Sequence, residues 1–167
     1  MGILDGKTIV VTGALGVLGR AVASAAETAG ARVAHIDYMK SEHAGELIFH
    51  GIDLTDEAEA NAAMAGVMKV TGRIDGLVNV AGGFTFSRIS DSPAKVWEGM
   101  FRINLVTALN ASRAAIPHLT ASQGAAIVNI GAGAAAKAGA GMAPYAASKA
   151  AVARLTEALA EELAGKV

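Results

Sequence analysis

The sequence predicts an α/β protein built on a doubly wound parallel sheet. Short β-branched or apolar segments alternate along the chain with longer, alanine-rich segments of helical spacing. The strand-like segments are almost continuously apolar, which is typical of parallel strands covered on both faces. A chain of 167 residues fits one domain, so we expect residues 1–167 to share a single core.

The first elements are defined by their residue types and by the residues that end them. Residues 7–12 (KTIVVT) form a β-branched run, which predicts a buried strand. Residues 17–29 are alanine-rich with apolar positions at helical spacing, and Gly30 follows as a helix-ending residue. Residues 32–37 (RVAHID) predict a second strand.

The middle of the chain continues the alternation. Residues 46–52 predict a third strand, after a loop too short for a full helix. Thr55 is a candidate N-cap for a helix that reaches Thr71 and ends at Gly72. Residues 75–80 (DGLVNV) predict the fourth strand.

Three further elements complete the pattern. Ser92 and Pro93 open a long helix over residues 93–117, with Pro93 at the first helical position. Residues 125–130 (AAIVNI) predict a fifth strand, and residues 142–164 predict a final helix.

Composition excludes several classes of function. The net charge is −1, and 14 basic and 15 acidic residues form no long run of either sign, so neither nucleic acid nor a membrane surface is an expected partner. Without cysteine there is no disulfide framework and no thiolate metal site. No signal peptide or membrane span is predicted, and we expect a soluble, cytoplasmic protein. No metal site is expected either, because four histidines lack metal-ligand spacing: His35, His43, His50 and His118.

A glycine-rich turn joins the first strand to the first helix. Glycines there let the backbone turn tightly and let phosphate oxygens approach the amides at a helix start. Glycine triplets also serve ordinary turns and close packing, but this one has the strand-before, helix-after context of a dinucleotide site. We therefore expect a bound dinucleotide to contact Gly13, Leu15, Gly16, Val17, Leu18 and Gly19.

Two carboxylates follow the second and third strands. Asp37 stands where a carboxylate binds the ribose hydroxyls of NAD and repels the extra phosphate of NADP, although a turn residue is the alternative. Asp53 either contacts the adenine or begins the turn before Thr55. Since no arginine follows Asp37 directly, the sequence predicts NAD(H) in preference to NADP(H).

Tyr145 and Lys149 are four residues apart on the predicted last helix. That spacing places a phenol and an ammonium on one helix face, one turn apart. The positive charge stabilises the phenolate, which makes Tyr145 a candidate proton donor or acceptor. A solvated surface pair is the alternative, and the glycine turn upstream argues against it.

These motifs together resemble the short-chain dehydrogenase/reductase family, over nearly the whole chain. Each motif is modest alone, and the combination is specific. The residues that carry the resemblance are Gly13, Gly16, Gly19, Asp37, Asp53, Leu54, Asn79, Val80, Ala81, Gly82, Asn104, Tyr145 and Lys149.

The resemblance implies a Rossmann-like oxidoreductase that passes hydride between a nicotinamide and a small carbonyl, alcohol or imine-like substrate. Tyr145 would exchange a proton with the substrate, and Lys149 would bind the nicotinamide ribose. Asn104, within the long helix, would organise a water-linked proton relay to Lys149. The run from Asn79 to Gly82 would stabilise the central sheet beside the cofactor.

Two departures from the family pattern point to one branch. Ala132 stands where the family usually has a serine that holds the substrate oxygen, and Val17 stands in place of its second glycine. Neither Ser122 nor Ser148 fills the place of that serine. Both departures resemble the quinonoid dihydropteridine reductases, as does the run that ends at Phe84. In that branch Phe84 would stack near nicotinamide or pterin; a core or lid role is the alternative.

The resemblance also concerns what surrounds this chain. The family continues with two more strands and a substrate lid after Val167, so we expect loss of a tail or a partner that completes the sheet. Helices 93–117 and 142–164 would pair between subunits of a homodimer or homotetramer. A nucleotide-binding protein with little activity remains the alternative to an enzyme.

Overall fold

This computed structural model describes residues 2–42 and 45–167, so His43, one of the four histidines considered above, lies outside the described residues. All five strands pair in parallel in one sheet of order β3-β2-β1-β4-β5, which confirms the predicted α/β architecture. The strands are β1 (Thr8–Thr12), β2 (Arg32–Asp37), β3 (Ile48–His50), β4 (Gly76–Asn79) and β5 (Ala126–Asn129).

Helices cover both faces of the sheet. Neighbouring residues of β1 point to opposite faces, so Val10 joins the larger buried cluster, under α2 (Glu57–Thr71) and α4 (Thr107–Leu119). Val11 joins the smaller one, under α1 (Val17–Thr28). Among the described residues, no helix combines the length and the apolar character needed to cross a membrane. The helices are α1 (Val17–Thr28), α2 (Glu57–Thr71), α3 (Ala94–Phe101), α4 (Thr107–Leu119) and α5 (Ala143–Glu162).

The long helix predicted over residues 93–117 is interrupted. A π-helical turn at Arg102–Val106 separates α3 from α4, and there the Thr107 N–H bonds the Arg102 carbonyl five residues earlier. Such turns are common at functional sites. Pro93 is the N-cap of α3 and not its first helical residue, which corrects the predicted start.

The predicted cap of α2 was also wrong by one residue. The Asp56 side chain caps this helix by accepting hydrogen bonds from the N–H groups of Ala58 and Glu59, at 2.8 and 3.0 Å. A carboxylate is well suited to this position because it also interacts with the helix dipole. The Thr55 hydroxyl is used elsewhere: it accepts a hydrogen bond from Arg102.

Candidate active site

A cleft of about 750 Å³ opens at the carboxyl ends of the first four strands. Its floor is the glycine-rich turn, and the residues around the start of α4 form the opposite wall. A crevice at this edge of a doubly wound sheet is the usual place for a nucleotide. Ten of the predicted cofactor residues line it: Gly13, Gly16, Val17, Leu18, Gly19, Asp37, Asp53, Leu54, Ala81 and Gly82.

The glycine turn is shaped by two positions that admit no side chain. Gly13 has a φ of +62°, and a Cβ there would lie 2.8 Å from the Cα of Ala81. A Cβ on Gly19 would overlap the carbonyl oxygen of Gly13. Gly16 is the N-cap of α1, and its Cβ would meet Gly13 only at 3.3 Å. The turn therefore presents backbone to the cleft at a helix N-terminus, where amides attract phosphate.

Asp37 connects the end of β2 to the glycine turn. Its side chain accepts hydrogen bonds from the N–H groups of Leu15 and Met39, both at 2.8 Å, and the residue is only 7% exposed. Leu15 thus supports Asp37 and does not line the cleft. A carboxylate has about four acceptor positions, so capacity remains for ribose hydroxyls.

The loop after β3 forms the far end of the cleft. Asp53 accepts a hydrogen bond from the Thr55 N–H at 2.8 Å and also lines the cleft, so it begins the turn without leaving the wall. The Leu54 carbonyl accepts a hydrogen bond of 3.0 Å from Asn110 on α4, which holds this loop against the opposite wall.

Tyr145, Ser148 and Lys149 begin α5 beside the cleft. The Lys149 Nζ donates a hydrogen bond of 2.7 Å to the carbonyl of Ile130, just after β5. This lysine is only 6% exposed, and burial lowers the pKa of its ammonium from the ordinary value. Its charge is therefore held in place by one backbone carbonyl and is poorly solvated.

Asn104 lies at the centre of the π-helical turn and is 1% exposed. Its Oδ1 accepts a hydrogen bond from the Gly83 N–H at 2.9 Å, and its Nδ2 donates to the Gly83 carbonyl and to the Ser148 hydroxyl, both at 3.0 Å. The Ser148 hydroxyl donates in turn to the Tyr145 carbonyl at 2.8 Å. The Asn104 side chain is thus occupied by protein groups and fixes the start of α5.

Gly82 joins the two parts of the site. It lines the cleft, and a Cβ built on it would lie 2.6 Å from the Asn104 Oδ1 and 3.5 Å from the Lys149 Nζ. Tyr145, Lys149 and Asn104 do not themselves line the cleft, so the structure places them next to it rather than within it.

Phe84, two residues after Gly82, forms an aromatic pair with Tyr145. The rings of Phe84 and Tyr145 meet edge to face, with centroids 5.1 Å apart and planes at 82°. Phe84 is 52% exposed, which is inconsistent with a core role. Ala132 is the N-cap of a short 3₁₀ turn at Gly133–Ala135 that packs against α5.

Asn79 was grouped with the cofactor residues but does not line the cleft. Its side-chain amide donates to the Ser112 hydroxyl at 3.2 Å and to the Asn129 Oδ1 at 2.8 Å. These bonds tie β4 to β5 and α4. Thr12, which sequence reasoning missed, accepts hydrogen bonds from the N–H groups of Val80 and Ala81.

Several cleft residues were not predicted. Tyr38 and Met39 follow Asp37 and line the cleft while largely exposed, and an aromatic directly after the acidic residue was the available signal. Arg102 and Thr55 lie at the β3 end, and no sequence signal related them.

Comparison with known proteins gives concordant matches. A family model described as short chain dehydrogenase matches residues 7–167. The 2,3-dihydro-2,3-dihydroxybenzoate dehydrogenase of Bacillus subtilis is 33% identical over 96% of this chain and 66% of its own length. The D-threitol dehydrogenase of Mycolicibacterium smegmatis is 34% identical over 98% and 66%, respectively. The inactive 2-(S)-hydroxypropyl-CoM dehydrogenase 2 of Xanthobacter autotrophicus is 36% identical over 87% and 66%.

Among solved structures, the ligand-free aldohexose dehydrogenase of Thermoplasma acidophilum superimposes with a TM-score of 0.89 at 30% identity. The match covers 97% of this chain and 63% of that one. The chain thus spans about two thirds of the length of these relatives.

Proposed function

The chain belongs to the short-chain dehydrogenase family of oxidoreductases, and we propose that it transfers hydride between NAD(H) and a small carbonyl, alcohol or imine-like substrate, with Tyr145 as acid/base. Relatives named for 2,3-dihydro-2,3-dihydroxybenzoate, D-threitol and aldohexose support a small hydroxyl- or carbonyl-bearing substrate. The family implies a nicotinamide cofactor.

The residues of the cleft suit such a cofactor. Gly13 and Gly19 keep the turn tight at the N-terminus of α1, because a Cβ at either position would collide with backbone atoms, and such a turn favours the pyrophosphate. Asp37, which lines the cleft, would accept ribose hydroxyls and repel a 2′-phosphate, which favours NAD. When bound, the cofactor supplies or accepts the hydride.

The chain's own residues would manage the proton. In a reduction, the substrate oxygen or nitrogen takes the proton of the Tyr145 hydroxyl as the neighbouring carbon takes the hydride, and in an oxidation both steps reverse. Lys149 would stabilise the phenolate and hold the nicotinamide ribose, since its ammonium lies beside Gly82 at the cleft. The Asn104 side chain already bonds Gly83 and Ser148. A water-linked proton relay to Lys149 would therefore use backbone carbonyl oxygens as its hydrogen-bond acceptors.

One observation carries this proposal: Gly82 lies both in the cleft wall and against Asn104 and Lys149. A cofactor seated on the glycine turn would meet the proton-transfer residues at this junction. We therefore propose Tyr145 and Lys149 as the catalytic residues, with Asn104 positioning them through Gly83 and Ser148.

Tyr145→Phe tests the assignment. It keeps the ring that packs against Phe84 and removes only the hydroxyl. We expect turnover, followed by NADH absorbance, to fall at least about 10²-fold with NADH affinity unchanged, as for loss of a general acid. Tyr38→Phe, which removes the chain's other tyrosine hydroxyl from the exposed side of the cleft, is the matched control. Unchanged turnover in Tyr145→Phe would refute the mechanism.

A second candidate is reduction of a conjugated ring, as in the dihydropteridine reductases. The specific observation in its favour is the exposed Phe84 ring at Tyr145, together with an alanine at position 132. Ala132→Ser distinguishes the two candidates. A higher rate on simple ketones indicates that the hydroxyl donor was limiting, whereas no change favours the conjugated ring.

We also infer a cytoplasmic protein that forms a homodimer or homotetramer through α3–α4 and α5. Sedimentation of the purified protein tests the oligomeric state. A catalytically weak nucleotide-binding protein remains the competing class, because one relative is named as inactive. NADH binding without turnover on any small carbonyl, alcohol or pterin would favour that class.

A further inference from the structure

Arg102 is the one basic residue that lines the cleft within the described part of the chain, beside the acidic Asp37 and Asp53. Its Nη2 donates a hydrogen bond of 2.8 Å to the Thr55 hydroxyl, and its side chain is otherwise exposed. Where the structure describes the chain, Arg113 on α4 forms a salt bridge with Glu57, but none is formed by Arg102. Arg102 therefore brings an unpaired charge to the cleft wall, and one hydrogen bond to a hydroxyl orients its guanidinium.

The position of Arg102 identifies the end of the cleft that it serves. Thr55 follows β3, at one edge of the sheet, whereas the Ile130 carbonyl that holds Lys149 follows β5, at the other edge. Four strand spacings separate those edges, which is roughly 19 Å. Arg102 and Asn104 are two residues apart in the π-helical turn, and their side chains face opposite ways. Arg102 therefore lies at the β3 end of the cleft, and Asn104 lies towards the β5 end.

A dinucleotide held as proposed would place its ribose at Asp37, after β2, and its base beyond that, at β3. We propose that Arg102 covers the adenine base, with its guanidinium plane against the ring and Thr55 fixing the plane. The inference rests on the proposed function. Guanidinium planes stack well on bases because they are flat, delocalised and weakly hydrated. Gly99, one turn earlier on α3, also lines the cleft and leaves the space there open.

The experiment measures binding by nicotinamide fluorescence, with no turnover required. The unaltered chain, Arg102→Ala, Arg102→Lys and the matched control Arg113→Ala are titrated with NADH and with reduced nicotinamide mononucleotide, which lacks the adenosine half. We expect Arg102→Ala to weaken the affinity for NADH about tenfold and to change the affinity for the mononucleotide by no more than about twofold. Arg102→Lys should recover little of the lost NADH affinity, because lysine restores the positive charge but not the flat guanidinium group. Arg113→Ala should bind as the unaltered chain does.

Thr55→Val tests the fixing of the plane. It removes the hydroxyl that Arg102 bonds and keeps the shape of the side chain. We expect a smaller loss of NADH affinity than in Arg102→Ala, again without a comparable loss for the mononucleotide. Adenosine, used as a competitor of NADH, should lose affinity in parallel with NADH in Arg102→Ala.

Other outcomes overturn the inference. Equal weakening of NADH and the mononucleotide would place Arg102 at the nicotinamide end. Full recovery in Arg102→Lys, with adenosine unaffected, would make it a phosphate contact. If the unaltered chain binds NADH and Arg102→Ala binds it equally, this inference alone fails. If the unaltered chain binds no NADH, the proposed function fails with it.

Discussion

The Asn104 side-chain amide donates a hydrogen bond of 3.0 Å to the Ser148 hydroxyl, which connects the π-helical turn to the helix that carries Tyr145 and Lys149. Gly83, the residue after Gly82, bonds the same side chain twice: its N–H donates to the Asn104 Oδ1, and its carbonyl accepts from the Asn104 Nδ2. A single buried side chain therefore positions Gly83 relative to the start of α5, which carries the proposed proton-transfer residues.

Removing that side chain should reduce both stability and function. Asn104→Ala leaves the partly buried Gly83 N–H without its partner, which costs about 1–3 kcal/mol of the free energy of unfolding. Urea unfolding measures this loss, and NADH titration the accompanying loss of affinity. Asn61→Ala, on the exposed face of α2, should change neither quantity. An Asn104→Ala protein as stable as the unaltered one would contradict the positioning role.

The glycine turn supplies a matched pair of substitutions. Gly19→Ala places a Cβ on the Gly13 carbonyl oxygen, whereas Gly16→Ala meets the same oxygen at 3.3 Å. We expect the former to cost about 3 kcal/mol of unfolding free energy, as overpacking does, and the latter less than about 1 kcal/mol. Both are measured by urea unfolding and NADH titration. Equal effects of the two substitutions would show that the turn relaxes freely.

The buried Lys149 should make stability depend on pH. Burial lowers the pKa of its ammonium in the folded chain, so the unfolded chain binds this proton more tightly. The charged lysine thus costs stability below its lowered pKa, and the cost fades as pH rises through the window up to the unfolded value of about 10.4.

Lys149→Met removes that cost. Without cofactor, the free energy of unfolding of Lys149→Met minus that of the unaltered chain should be largest at pH 7. This difference should decrease as pH rises towards 10. Lys69→Met, at an exposed position of α2, should show no such trend. Urea unfolding across this range measures both, and a relative stability that rises with pH would contradict the assignment.

The strands and the glycine turn were predictable because their signals are local. Each strand is a short apolar run bounded by turn residues, and the turn lies directly between a strand and a helix. Right-handed crossovers between parallel strands made a doubly wound sheet the expected arrangement. Tyr145 and Lys149 were found because helical spacing places them on one face.

What escaped prediction depends on contacts between distant residues. The π-helical turn surrounds Asn104, whose partners Gly83 and Ser148 are 21 and 44 residues away. The contact between Arg102 and Thr55 joins residues 47 apart. Ser148 was considered only as a substitute for the missing serine, because nothing local shows that its hydroxyl faces inward.

The most direct test of the account is the ratio of the NADPH and NADH dissociation constants, measured by fluorescence titration of the unaltered chain and of Asp37→Ser. The cleft with Asp37 in its wall predicts NADH bound at least about tenfold more tightly than NADPH, and a ratio near one in Asp37→Ser. Equal affinities in the unaltered chain, or tighter binding of NADPH, would contradict the account.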